Sequence, residues 1–329
     1  MFIFFFIIFP LFSLGFFIIF SFTSLIMLWV GMELISFSIV LYLFTNFSFV
    51  DLLGFSSITK GKIIFKYFII QMVGAVVILF FLIYSQFFFF TFFFYFSLFF
   101  FAVKLGIFPG HMWVTELYGT LTFSEMFVVG VVPKVAPLLF FSFYAPIDIF
   151  FFLGFFSIFF SVSSALKFSS IRHVISFSSI MNIGWLVFSL SISLKVFFLV
   201  FFFYILLSFS LYIFFMHSSF FSLFSPFFRG VDFFSVKMLM GGLLFGIMGA
   251  PLSVMFFFKI FIIAGNYNFF FFFFVLFFNS VGVVFYGRML YFFMLNSQGN
   301  FFTGFLSVNS FFFVPVLLSF FSPVFYIFI

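Results

Sequence analysis

Residues 91–113 read TFFFYFSLFFFAVKLGIFPGHMW. This stretch opens as an almost continuous apolar run, meets one charged side chain at Lys104, and then reaches Gly106, Pro109 and Gly110. Proline removes a backbone donor and glycine loosens the same turn, so the pattern predicts a helix that breaks just after the lysine. Comparable apolar segments recur along the whole chain, which indicates a bundle of membrane-spanning helices.

The composition indicates a chain whose surface faces lipid. Of its 329 residues, 67% are hydrophobic and only 5% are charged, whereas roughly a quarter of the residues of a soluble domain are charged. A cleaved signal segment accounts for only about the first 15–30 residues, so the later apolar segments must be structural. We therefore predict an all-α, polytopic membrane protein whose residues 1–329 form a single integral membrane domain.

Short polar breaks divide the chain into segments of about 20 residues, the length that crosses a bilayer. This division predicts about eleven spans, two of them discontinuous. The expected ranges are 2–21, 24–45, 63–84, 88–108, 122–143, 147–166, 172–192, 196–216, 238–263, 269–290 and 308–329. The longest expected connections are 46–62, 217–237 and 291–307; we interpret them as plain connectors, with a partner contact as the alternative for the first and third.

The basic residues predict how the bundle is oriented, because lysine and arginine collect on the side from which a membrane protein is inserted. When connections alternate between the two sides, one side receives only Lys195. The other side receives Lys60, Lys62, Lys66, Lys167, Arg172, Arg229, Lys237 and Arg288. The net charge of +6 therefore reflects topology, and we do not expect nucleic-acid binding.

Amino-acid usage points to an organelle. The chain contains 87 phenylalanines and no cysteine. Phenylalanine is interchangeable with leucine or isoleucine in lipid, so the excess is typical of a thymine-rich genome such as that of a mitochondrion. We expect the mitochondrial inner membrane, with the N-terminus in the matrix and the C-terminus in the intermembrane space. Without cysteine, the chain holds no disulfide and no thiolate-bound iron–sulfur cluster.

Four charged residues fall inside the expected spans: Glu33, Lys104, Lys134 and Lys259. Each costs about 2.5–3.5 kcal/mol at a helix centre if unpaired, so they should face the bundle interior. Any of the three lysines is a suitable partner for the single carboxylate, and we expect Lys104. Lysines removed from water exchange protons more readily. Three of them for one carboxylate favour a proton relay over a purely structural ion pair.

Further helix-breaking residues accompany the other two lysines. Pro133 and Pro137 flank Lys134, and Gly249 and Pro251 precede Lys259. Prolines free backbone carbonyls that a lysine or an ordered water can use. Together with Gly106, Pro109 and Gly110, these residues are the predicted helix breaks.

Two histidines, His111 and His173, are candidates for passing protons between the lysines and the connections. The alternative is that each is a hydrogen-bonded residue at a helix end. The chain contains no nucleotide-binding loop, metal-ligand constellation or hydrolytic triad. We therefore expect no metal site.

These landmarks, in this order, resemble the subunit 2 family of mitochondrial NADH dehydrogenase, the antiporter-like subunits of respiratory complex I. The resemblance spans about residues 24–263. Its motifs are Trp29-x-Gly31-x-Glu33, Lys66-Tyr-Phe-Ile-Ile-Gln71, Lys104-Leu-Gly-x-x-Pro109-x-His111-x-Trp113, Lys134-x-Ala-Pro137, IRHVISFSSIMNIGW at 171–185, and Gly249-x-Pro251 followed by Lys259. The third and fifth of these are the most specific.

The resemblance implies an antiporter-like fold and a proton-translocating role in NADH:ubiquinone oxidoreductase, with Glu33, Lys104, Lys134 and Lys259 as the proton-transfer axis. It implies no catalysis by the isolated chain, because NADH, FMN, the iron–sulfur clusters and ubiquinone bind other subunits. The implied partners are the other membrane-arm and accessory subunits and membrane lipids, cardiolipin among them.

Three alternatives remain open at this point. A sister antiporter-like subunit of the same complex or a component of a cation/proton antiporter would share most of these motifs. A scaffold subunit, whose buried charges only fix helix packing, belongs to another class. Neutralising Lys104 or Lys134 separates the classes, since only a pump should lose coupling.

Overall fold

The computed structural model describes residues 7–21, 24–46, 55–88, 91–144, 147–168, 170–218, 233–249, 253–265, 276–284 and 286–288. Regular structure in these ranges is helical, without a strand. The chain forms two compact units, an N-terminal unit of Met1–Pro146 and a C-terminal unit of Ile147–Ile329. The expected span at 308–329 lies outside the described residues, and that at 269–290 lies only partly within them.

The N-terminal unit contains seven helices in its described part. They are α1 (Phe9–Phe20), α2 (Leu25–Thr45), α3 (Phe55–Phe88), α4 (Thr91–Leu105), α5 (Met112–Thr120), α6 (Phe123–Val131) and α7 (Val135–Tyr144). A 3₁₀ turn, Val132–Lys134, joins α6 to α7.

The C-terminal unit contains five further helices in its described part, together with helical residues at 276–284 and 286–288. The helices are α8 (Ile147–Ala165), α9 (Ile171–Leu190), α10 (Leu194–Ser218), α11 (Phe233–Met248) and α12 (Val254–Gly265). Nearly all of α9 is buried within the protein. Helix α9 therefore forms the core of this unit, and α8, α10 and α12 pack against it.

Among the described residues, five helical segments are long and apolar enough to cross a membrane: Leu25–Thr45, Thr59–Tyr84, Phe123–Phe143, Ile171–Leu190 and Leu194–Ile213. Shorter apolar helices lie at Phe9–Phe20, Tyr95–Leu105, Ile149–Ala165 and Val254–Gly265. The all-helical, multi-pass architecture expected from the sequence is thus present. The total of eleven spans stays a prediction.

Two sequence-based expectations were wrong, and a third holds only in part. Helix α3 begins at Phe55, within the stretch 46–62 that we expected to be a connection, because Lys60 is buried against another helix. The short helix α5 occupies part of the stretch expected to connect two spans. The predicted breaks at Pro133 and Pro137 are milder than expected: α6 ends at Val131, and the chain passes through the 3₁₀ turn into α7 without leaving a helical path.

Glycine pairs allow two close helix crossings. A Cβ added to Gly31 of α2 would lie 2.6 Å from Ile19 Cγ1 and 3.1 Å from the carbonyl oxygen of Gly15 on α1. A Cβ added to Gly184 of α9 would meet Ser157 and lie 3.1 Å from the carbonyl oxygen of Gly154 on α8. Close backbone approach through small residues is a typical way in which membrane helices associate.

Candidate functional site: buried charges and helix breaks

An ion pair joins α2 to α4. The Nζ atom of Lys104 lies 2.5 Å from Oε1 of Glu33, and only 3% of the lysine side chain and 16% of the glutamate side chain are exposed. Gly74 of α3 packs against the lysine stem, since a Cβ added there would be in ordinary contact with it, 3.5 Å from Lys104 Cγ. The pairing predicted from the sequence is therefore present, in a setting where water screens it little.

Helix α4 ends immediately after this lysine, at a glycine. The amide of Gly106 (φ +73°) donates to Val103 O at 3.0 Å, and the amide of Ile107 donates to Ala102 O at 3.2 Å. These two bonds form a Schellman motif, in which a left-handed glycine satisfies the last carbonyls of a helix. Pro109 and Gly110 follow in the connection to α5. The helix therefore ends before the proline, which contributes less to this break than the sequence suggested.

The backbone beyond the break folds back against α4. A Cβ added to Gly110 would lie 2.8 Å from Val103 Cα. The indole of Trp113 donates to Val103 O at 2.9 Å, and the indole of Trp29 donates to Ala75 O at 2.8 Å. Trp29 and Trp113, two of the three tryptophans of the sequence motifs, thus hold the helices around the Glu33–Lys104 pair by bonding to backbone.

Three buried polar atoms near the pair have no hydrogen-bond partner among the described residues: Glu33 Oε2, Tyr67 Oη and Gln71 Nε2. Tyr67 is close enough to Glu33 to interact electrostatically, and it lies one helical turn from Gln71 on α3. Unpartnered polar atoms inside a protein are costly unless water satisfies them. Tyr67 and Gln71 both belong to the motif Lys66-Tyr-Phe-Ile-Ile-Gln71, but the sequence did not predict that they cluster with Glu33.

Lys134 lies in the 3₁₀ turn and is almost fully buried, with 1% of its surface exposed. Its Nζ atom has no hydrogen-bond partner among the described residues. Helices α2 and α4, which carry Glu33 and Lys104, both contact this turn. The N-terminal unit thus places an unpaired lysine against the two helices of a buried ion pair.

A second buried ion pair was missed by the sequence reasoning. Lys60 Nζ lies 2.9 Å and 3.0 Å from the two carboxylate oxygens of Glu125, and 9% and 1% of their side chains are exposed. Lys60 falls within the expected connection 46–62, and Glu125 lies near the start of the expected span 122–143. The Thr122-x-x-Glu125 pattern is a capping box, a signal that the sequence does contain.

A third ion pair, Lys66–Glu116, also lies in the N-terminal unit, at 2.5 Å, with about half of each side chain exposed. Such exposed pairs contribute about 0–1 kcal/mol. All three glutamates of the chain are thus paired with lysines, and Lys134 is left without an acidic partner among the described residues.

Lys259 is a buried lysine of the C-terminal unit, with 4% of its surface exposed. Its ammonium donates to Met248 O at 2.6 Å and to Asn279 Oδ1 at 2.9 Å, and it lies 5.3 Å from the centroid of the Trp185 ring. Gly249, with φ +75°, follows the end of α11, and α12 begins at Val254. Pro251, a predicted break residue, lies outside the described residues.

The two candidate histidines have local partners. His173 Nδ1 lies 2.5 Å from Ser170 Oγ, and its ring stacks on Phe168. The His111 ring stacks on that of Phe108, with 6.4 Å between the ring centroids. A proton path through either residue stays a prediction. Among the described residues, no group of three or more acidic or histidine side chains is arranged to hold a metal ion.

Comparison with known proteins identifies the fold. No protein-family model and no curated protein sequence matches the chain. Respiratory complex I from Thermus thermophilus contains a similar chain, with a TM-score of 0.78 and 15% identity over 94% of this chain and 75% of that one. The membrane-bound sulfane sulfur reductase, an archaeal respiratory membrane complex, gives a TM-score of 0.78 and 17% identity over 98% and 72%.

A chain of the Mrp complex from Dietzia sp. DQ12-45-1b is also similar, with a TM-score of 0.67 and 12% identity over 86% of this chain and 58% of that one. All three similar chains belong to multi-subunit membrane complexes. The protein therefore shares its fold with chains of these membrane complexes.

Proposed function

We propose that this chain is a proton-translocating subunit of a respiratory membrane complex, and specifically the antiporter-like subunit 2 of NADH:ubiquinone oxidoreductase. The observation that carries the proposal is the buried charge of the N-terminal unit. It consists of the ion pair Glu33–Lys104 and of Lys134, whose ammonium has no protein partner in the described part of the chain.

This arrangement couples proton binding at one group to proton release at another. Protonation of Glu33 removes the negative charge that holds the Lys104 ammonium. The unpaired Lys104 then repels a second ammonium at Lys134, because like charges in a weakly screened interior disfavour each other. An N–H bond of Lys134 breaks and its proton passes to a water molecule. Deprotonation of Glu33 and uptake of a proton from water by the neutral Lys134 amine then reset the site.

The helix breaks supply backbone groups along this route. We place the interruptions after Lys104 and before Lys259 at membrane depth, as discontinuous helices. Backbone that leaves a helix in lipid must be satisfied by protein or water, and such breaks line polar cavities in transporters. The predicted break residues Gly106, Pro109, Gly110 and Gly249 therefore belong to the path.

The remaining assignments follow from the same proposal. The redox chemistry, with NADH, FMN, iron–sulfur clusters and ubiquinone, takes place in other subunits, and this chain alone catalyses nothing. Its partners are the other membrane-arm and accessory subunits, with lipids such as cardiolipin around them. The phenylalanine excess supports a mitochondrial inner-membrane location with the basic connections in the matrix.

A cation/proton antiporter component is the second candidate. The similarity to a chain of the Mrp complex favours it. Proton transport that requires a specific metal cation on the opposite side would support this candidate, whereas transport that requires NADH and quinone would support a complex I subunit.

The test is Lys104→Ala in the complex that contains the chain, purified and reconstituted into vesicles. We expect the complex to assemble, because the Glu33 carboxylate left without its partner can be neutralised by taking up a proton, and we expect proton pumping and quinone-linked NADH oxidation to fall strongly. Lys62→Ala is the matched control, because Lys62 is an exposed lysine of α3. A wild-type proton-to-electron ratio in assembled Lys104→Ala would refute the proposal.

A further inference from the structure

Trp185 contacts Lys259 through its ring and leaves its indole N–H without a protein partner. The residue lies on the buried helix α9 with 2% of its surface exposed, and the Lys259 ammonium lies 5.3 Å from the centroid of its ring. Its Nε1 atom has no hydrogen-bond partner among the described residues, whereas the indoles of Trp29 and Trp113 both donate to backbone carbonyls. A buried N–H without a partner is costly, so an acceptor should lie beside it.

A small cavity beside Lys259 can hold that acceptor. Asn182, Trp185 and Lys259 are among the residues that line it, and Val200 of α10 is one of its apolar lining residues. About 10 Å³ of the cavity is open to the centre of a water molecule, which is close to the minimum that one water needs. The cavity therefore fits one water and no larger ligand.

The Lys259 ammonium has one N–H group available for such a water. A protonated lysine carries three N–H groups. Two of them donate to Met248 O at 2.6 Å and to Asn279 Oδ1 at 2.9 Å, and the third has no hydrogen-bond partner among the described residues. The ammonium can therefore bind a water in the cavity without giving up either of its bonds to protein.

The indole determines how this water is oriented. An indole N–H is a donor only, so the water must accept a hydrogen bond from Trp185, and its own two O–H groups are left for acceptors. The amide carbonyl of Asn182 is one acceptor on the cavity wall. The nitrogen lone pair of Lys259 is another whenever this lysine is neutral. The water is therefore held as a proton donor toward the neutral lysine.

We propose that Trp185 is a positioning residue for proton exchange at Lys259, and that its indole N–H fixes one water in this cavity as the group that exchanges protons with the lysine. The inference rests on the proposed function and deepens it. A hydronium ion that reaches the bound water forms an O–H bond on it, while another O–H bond of that water breaks and an N–H bond forms at Lys259. The hydronium ion leaves as water, and no electron moves. The charged ammonium is then held over the indole ring by cation–π attraction.

The test uses two kinds of replacement in the assembled, reconstituted complex. Trp185→Phe keeps an aromatic ring but removes the N–H, and Val200→Ile adds a methylene group to the cavity wall. Val196→Ile is the matched control, because Val196 is a buried valine one turn earlier on α10 that is not among the residues lining the cavity. In high-resolution maps we expect density for one water beside Lys259 in the wild type and in Val196→Ile, and none in Trp185→Phe or Val200→Ile.

Proton pumping is the second measurement. We expect Trp185→Phe and Val200→Ile to lower the proton-to-electron ratio as far as Lys259→Ala does, and Val196→Ile to leave it unchanged. A role of Trp185 in packing alone would reduce the amount of assembled complex but would leave both the water and the ratio as they are in the wild type.

The outcomes separate this inference from the proposed function. A wild-type map without a water in the cavity overturns the inference, and so does a water that keeps its place in Trp185→Phe. A lowered ratio in Lys104→Ala and Lys259→Ala with wild-type ratios in Trp185→Phe and Val200→Ile overturns the role of the water and leaves the proposed function in place. Wild-type ratios in all four variants overturn both. If Trp185→Phe does not assemble, Val200→Ile decides: loss of the water with a lowered ratio supports the inference, and a wild-type ratio contradicts it.

Discussion

The two buried ion pairs of the N-terminal unit differ in what surrounds each carboxylate. Glu125 accepts from Lys60 with both oxygens and from the backbone amide of Thr122 at 2.9 Å. Glu33 bonds to Lys104 through one oxygen, and its other oxygen has no partner among the described residues. A carboxylate with an unused oxygen can take up a proton without first losing its other bonds. Glu33 is therefore suited to proton exchange, and Glu125 is suited to fixing a helix end.

Two replacements of Lys134 should distinguish the effect of its positive charge on assembly from the effect of its proton exchange on pumping. Lys134→Met removes a buried, unpaired ammonium, so we expect the complex to assemble at least as well as the wild type while its proton-to-electron ratio falls. Lys134→Arg keeps a charge that is not released in proteins, so its ratio should fall as well. The measurements are native-gel yield and proton uptake into vesicles. A normal ratio in Lys134→Met would mean that this lysine carries no proton.

The Lys60–Glu125 pair should stabilise the complex without affecting its proton-to-electron ratio. Removing one member of a buried pair costs about 3–5 kcal/mol, because the other charge stays buried. We expect Lys60→Met to lower the thermal stability of the complex strongly, and the double variant Lys60→Met/Glu125→Gln to recover most of it. Lys66→Met is the control, since its exposed pair should contribute less than about 1 kcal/mol. Equal losses in the single and double variants would contradict this assignment.

At the residue scale, the sequence predicted the Glu33–Lys104 pair because both charges lie deep within apolar segments, where an unpaired charge is costly. It did not predict the Lys60–Glu125 pair, because both residues lie close to segment ends. Hydropathy cannot tell a buried end from an exposed one when the helix continues beyond the apolar run, as α3 does.

Among the elements, the ends of α4 and α11 share one device: each is followed by a glycine with positive φ, Gly106 and Gly249. In each case a side chain occupies the space where a Cβ would lie. A Cβ added to Gly106 would meet Val114 and Trp113, and a Cβ added to Gly249 would lie 3.1 Å from Lys259 Nζ. The positions of Lys104 and Lys259 therefore depend on a left-handed backbone conformation, which residues other than glycine adopt poorly.

Gly106→Ala should shift the end of α4 without preventing the chain from folding. The left-handed conformation costs about 1–2 kcal/mol for alanine, and the added methyl would displace Val114. We expect reduced coupling with partial loss of assembled complex, detected as a lower proton-to-electron ratio together with a lower native-gel yield. Gly287→Ala is the control, because a Cβ there meets nothing within 4 Å. Unchanged coupling in Gly106→Ala would show that the break does not position Lys104.

The sequence predicted where these helices end but not always why. It attributed the break after Lys104 to Pro109 together with Gly106 and Gly110, whereas Gly106 alone already terminates α4. It treated Pro133 and Pro137 as breaks, although the chain remains helical there. Proline removes a donor only from its own turn, so a 3₁₀ turn can absorb it, and that choice depends on packing against α2 and α4.

For the whole molecule, apolar segments of membrane-spanning length predicted α8, α9 and α10 closely, because lipid imposes the same length on each. The connections were predicted less well, since α3 and α5 extend into stretches that are not apolar. The side of the membrane on which each connection lies follows only from the distribution of basic residues, and it stays a prediction.

The absence of cysteine from the sequence makes that orientation directly measurable with single introduced cysteines. Lys167 is exposed in the connection between α8 and α9, and Ser193 lies in the connection between α9 and α10. These two positions flank the buried helix α9, so they should lie on opposite sides of the membrane. We expect a membrane-impermeant thiol reagent to label Lys167→Cys from the matrix side only and Ser193→Cys from the intermembrane-space side only. Labelling of both from one side would show that α9 does not cross the membrane, and the reverse assignment would place the basic connections outside the matrix.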